Sequence, residues 1–124
     1  MIEQFPEPEM DVPEEEFRRY VAEARLRPEA RAGAARIFRA IRRITDRGSV
    51  FYVLADTPSQ REDLFTILVD DKEVIGFELD RSDPDAPPVD IEQYSVEEYQ
   101  KTVTGFAAAN LRVALELARK DLGR

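Results

Sequence analysis

SVFYVLADTPSQREDLFTILVDDKEVIGFELD, residues 49–80, holds three runs of strand-forming residues, and the way they pair decides the fold. Ser49–Asp56 is rich in β-branched and aromatic side chains. Asp63–Asp70 is apolar on both faces except at Thr66, the pattern of a central strand. Glu73–Asp80 alternates, with Ile75, Phe77 and Leu79 on one side and Val74, Gly76 and Glu78 on the other. Asp71–Lys72 leaves room only for a tight antiparallel hairpin. The polar link Thr57–Glu62 joins the first two runs, so an antiparallel three-stranded meander is expected.

Working outward, helices flank this sheet. On the N-terminal side, Pro13 suits a first helical position, and Glu14, Glu15 and Glu16 suit the positive end of the helix dipole. A helix to about Arg25 follows, with Phe17, Tyr20, Val21 and Ala24 on one face. Pro28 opens a second helix that runs to about Asp46, stops at Gly48, and turns Ala34, Ile37, Phe38, Ile41 and Ile44 inward. On the C-terminal side, Arg81–Tyr94 contains three prolines and four carboxylates and reads as an irregular acidic crossing. Ser95 and Glu98 form a capping-box pair that starts a last helix to about Leu122, with Gly105 as a point of bending or interruption. Its inward stripe is Tyr99, Val103, Phe106, Asn110, Val113, Ala114, Leu117 and Ala118. The expected class is α+β, in the order α-α-β-β-β-α, with the meander packed against amphipathic helices. Residues 1–12 read as an acidic arm and 13–124 as a single domain, the number of domains that 124 residues predict by default.

Composition removes whole classes of chemistry. The chain has no histidine and no cysteine. Disulfides, thiolate nucleophiles, Cys/His zinc sites, Fe–S clusters and imidazole general bases are therefore impossible. Asp80–Asp85 has a superficial likeness to a calcium loop but lacks its turn glycine and its last glutamate. No glycine-rich phosphate loop exists, since the five glycines are scattered. Neither metal nor cofactor is expected, and the chain reads as a non-enzyme. No run approaches the roughly 18 apolar residues of a membrane span, and residues 1–16 have no secretory-signal pattern. Arginine outnumbers lysine 15 to 3, a bias of GC-rich coding, so a soluble, cytoplasmic, bacterial protein is the expectation.

The net charge of −8 is unevenly placed. Ten arginines against Glu23, Glu29 and Asp46 leave residues 17–49 at +7, while 1–16 carry −7 and 50–124 carry −8. Two charged surfaces follow. The acidic one comprises Asp70, Asp71, Glu73, Asp80, Asp83, Asp85 and Asp90, which suit a basic partner. The basic one is the outer half of the second helix, with Arg31, Arg36, Arg39, Arg42, Arg43 and Arg47, whose forks match carboxylates and phosphates. Carboxylates elsewhere in the chain are the first candidates to neutralise it. A third possibility is a sheet–helix pocket around Tyr52, Thr66, Glu78 and Asn110.

The function expected is that of a small acidic binding protein. It engages a macromolecular partner, a basic protein, through charged surfaces, by class analogy with inhibitor, immunity and chaperone proteins. Nucleic-acid binding through the arginine helix is the first alternative, opposed by the net negative charge. A small-molecule site or minor enzyme in the pocket is the second. Monomer and homodimer are both compatible with the sequence.

Overall fold

The computed structural model describes residues 12–27 and 33–124. The expected acidic arm to Asp11, the Pro28 helix start and Arg31 lie outside the described residues. The α+β class holds. Among the described residues there are four helices and one four-stranded antiparallel sheet. Their order is α1 (Glu14–Glu23), α2 (Ala34–Ile44), β1 (Phe51–Pro58), β2 (Glu62–Val69), β3 (Glu73–Asp80), β4 (Val89–Ser95), α3 (Val96–Gln100) and α4 (Gly105–Asp121). Strands neighbour one another in chain order, β1-β2-β3-β4.

Two expectations need correcting. The sheet has four strands rather than three, because the acidic crossing ends in β4. All three prolines of the crossing precede Val89, so Val89–Ser95 retains every backbone donor and can pair. It does so through Ser95↔Glu73, Tyr94↔Val74, Gln93↔Ile75 and Glu92↔Gly76, with a shift in register before Val89↔Glu78. The final helix is also two helices. α3 ends at Gln100, and α4 restarts at Gly105, whose φ of 57° lies in the left-handed region open to glycine.

Both faces of the sheet are packed. On one face α2 buries Ala34, Ile37, Ala40 and Ile41, with Leu26, against Phe51, Phe65, Ile67, Val69, Ile75, Phe77 and Leu79. On the other, α1 and α4 bury Phe17, Val21, Leu111, Val113, Ala114, Leu115 and Ala118 against Val50, Tyr52, Leu68 and Val74. This explains why β2 is apolar on both faces. The helix stripes differ in detail from expectation. Tyr20 is 56% and Phe106 42% exposed, and the Phe106 ring meets Tyr20 at 6.1 Å and Phe17 at 5.6 Å, so that the Tyr20 and Phe106 rings pack outside the core.

Local chemistry sets the turns. In the β2–β3 hairpin Asp70 takes a left-handed φ of 53°, and its Oδ1 accepts from the amides of Ser49 and Val50, each at 2.9 Å. The α2–β1 link passes so close that a Cβ on Gly48 would lie 2.5 Å from Val69 Cγ1. Glycine is required there on two counts, since φ is 98°.

Candidate functional site

α1 and α4 cover only part of their face of the sheet. They pack over Tyr52, Leu68 and Val74, near the β2–β3 hairpin. Farther along the same strands lie Leu64, Thr66, Gly76 and Glu78, paired Leu64↔Glu78 and Thr66↔Gly76 in register. Among the described residues no helix covers the sheet here, and a shallow groove of about 530 Å³ runs between these residues and Asp90, Ile91 and Glu92 of β4. Gly76 contributes no side chain to it. A Cβ there would meet nothing nearer than 3.7 Å, so the absence of a side chain opens the groove floor rather than relieving a clash.

Apart from Thr66, the polar side chains of this groove are acidic. Asp90 and Glu62 raise the Glu78 carboxyl above its ordinary value, after desolvation, the largest cause; Asp90 also hydrogen-bonds with it. Two carboxyl groups in such contact resist ionising together. Asp90 has a φ of 53°, a left-handed conformation that aspartate tolerates better than most residues, and it stands where the β3–β4 register shifts. Glu92 Oε1 accepts a 3.1 Å bond from the Tyr94 hydroxyl, which holds the tyrosine proton above its usual range. Val89 and Ile91 are about half exposed beside these groups, at 49% and 45%. The site is therefore a pair of apolar side chains set among carboxylates on an edge strand.

The structure sorts the expected acidic surface into separate roles. Asp70 holds the hairpin, as above. Asp71 meets Arg124 at 2.6 Å and Arg119 at 3.6 Å, and the Arg124 bond holds its carboxyl below the usual range. Asp80 accepts from both the amide and the hydroxyl of Ser82, bonds that lower it. Asp83 caps the amide of Asp85. Glu73 lies in a different groove, with Arg42, Arg43 and Arg47. Of the acidic set, Asp90 alone joins the bare sheet face.

The expected pocket also divides. Thr66 and Glu78 share the groove, whereas Tyr52 and Asn110 are buried. Tyr52 donates a 2.5 Å bond to Asp121, which also meets Arg25 at 3.2 Å; burial first and Asp121 second push the phenol well above its ordinary value. Asn110 donates from Nδ2 to the carbonyl of Leu54 at 3.0 Å. Leu54 is the residue that a β-bulge between Val53 and Ala55 leaves out of register, so a buried amide meets a carbonyl displaced from the ladder.

The arginine face is partly neutralised within the chain. Arg36 pairs with Asp63 at 3.8 Å and donates to the Asp80 carbonyl. Arg42 donates to the carbonyls of Arg47 and Gly48 and lies 5.3 Å from the Phe51 ring centroid. Arg39 and Arg43 face a cleft beside the loop after β3.

Reading the sequence alone missed Glu62, Glu92, Val89 and Ile91. The available signal was the proline-free Val89–Ser95 segment, with apolar residues at 89 and 91. Among the described residues no group of three or more potential ligands is placed to hold a metal ion, and no helix is long and apolar enough to cross a membrane. Comparison with protein-family models, with curated proteins and with solved structures yields no match.

Proposed function

We propose that this protein is a non-catalytic binding module whose bare, acidic sheet face engages a basic protein partner. The observation that carries this reading is the gathering of Glu78, Asp90 and Glu92 in one open groove; desolvation first, and then the like charges of Asp90 and Glu62, raise the Glu78 carboxyl. Such repulsion is relieved when a cationic side chain enters, which favours association with lysine- or arginine-rich surfaces. Val89 and Ile91 supply apolar contact next to the charges. β4 is an edge strand, so its outer backbone groups are also open to a partner segment. The recognition surface proposed is thus Glu62, Glu78, Asp90 and Glu92 with Val89 and Ile91. It replaces most of the hairpin and loop carboxylates, which hold their own turns.

The test is affinity capture at low salt with the full tagged chain, wild type against Glu78→Lys with Asp90→Lys. Basic proteins retained by the wild type are expected to be lost with the double variant, and to dissociate as salt rises. Retention of the same proteins by both forms would overturn the assignment of this face.

A further inference from the structure

The opposite face of the sheet carries a second, smaller cleft, of about 260 Å³, between α2 and the loop that follows β3. Arg36, Arg39 and Arg43 line its helix side; their spacing of three and four residues stacks them along one stripe of α2. Pro84 and Ala86 contribute apolar surface, and Asp85 is the one carboxylate of the lining.

The three guanidiniums are not equivalent. Arg36 is already matched by Asp63 and the Asp80 carbonyl. Arg39 and Arg43, one turn apart, form no ion pair with another described residue. Like charges at this separation repel and cost the helix stability. In a chain of net charge −8, with many carboxylates elsewhere, this cleft is nonetheless cationic. Two guanidinium forks beside an apolar wall suit one kind of ligand: an oxyanion that takes bidentate bonds, carried on a compact apolar group. At about 260 Å³ the cleft is smaller than the usual range for drug-sized ligands and suits a compact one.

We infer that Arg39 and Arg43 form a binding site for a small organic oxyanion, a phosphate monoester or a carboxylate, seated between α2 and the Pro84 loop. This site is independent of the acidic face and lies across the sheet from it.

The experiment is a titration of the full chain at low ionic strength, followed by the arginine Nε–H and backbone amide resonances. The probes are phenyl phosphate, benzoate and inorganic phosphate. Saturable shifts of the Arg39 and Arg43 side chains and of the Ala40 and Ala86 amides are expected with phenyl phosphate or benzoate. The stronger of the two identifies the phosphate or the carboxylate as the preferred group, and weaker binding of inorganic phosphate would show that the apolar wall contributes. Arg39→Gln with Arg43→Gln should weaken binding by about tenfold or more, while Arg112→Gln should leave it unchanged. If the double glutamine variant loses its dispersed amide spectrum, Arg39→Gln alone carries the same comparison. Absence of saturable shifts at millimolar probe, or equal shifts in the glutamine variants, would overturn the inference.

Discussion

Asn110 shows how a single polar residue in an apolar stripe is read. Its place in the sequence implies a buried amide, and a structural bond to a loop or strand backbone is the ordinary way to satisfy one. That bond exists, to the Leu54 carbonyl. What the sequence did not contain was the reason for it, since the bulge at Leu54 is a feature of the pairing between β1 and β2. Asn110→Ala removes the donor and leaves a buried carbonyl unmet. A loss of about 1–3 kcal/mol in unfolding free energy is expected, measured by urea denaturation. The sequence marks Tyr52 as a strand aromatic and a candidate pocket residue, not as part of an ion-pair cluster. Its partners Asp121 and Arg25 are far from it in sequence, and only the packing of α1 and α4 over β1 brings them together.

At the scale of elements, strong local signals carried through and weak ones did not. The capping box was readable from Ser95 and Glu98, and both its bonds are present, at 3.1 and 2.9 Å. Ser95→Ala should therefore destabilise the protein by about 1 kcal/mol, seen as a lower denaturation midpoint with an unchanged slope. Gly105, expected to bend or interrupt the last helix, stands at the restart of α4 just after the break, with a left-handed φ. β4 escaped because an exposed edge strand buries too little to need a full apolar pattern, and its charged residues resemble a loop. Its hydrogen bonds to β3 come from long-range pairing, which no local propensity encodes.

At the scale of the whole molecule the distribution of charge governs behaviour more than its total. Glu78 is raised above its ordinary 4.5 in the folded chain. Below that ordinary value it is protonated in both folded and unfolded states and has no effect on their balance. As pH rises through the raised value the folded state must release a proton that it holds more tightly, so stability declines across that window. Glu78→Gln should thus be more stable than wild type at neutral pH and no more stable below the ordinary value, as thermal unfolding at the two pH values would show. A basic partner would reverse the shift, so its affinity should fall as the carboxylates become protonated. The sequence by itself determined the α+β class, the central meander, most helix limits and the chemistry denied by the absence of histidine and cysteine. These follow from residue identity and from periods of two to four residues, which act locally. Only the tertiary structure decided which carboxylates are held by Arg119, Arg124 or nearby backbone amides and which stand together on an uncovered sheet face. That outcome depends on where helices end over the strands, a matter of long-range packing between residues far apart in the chain.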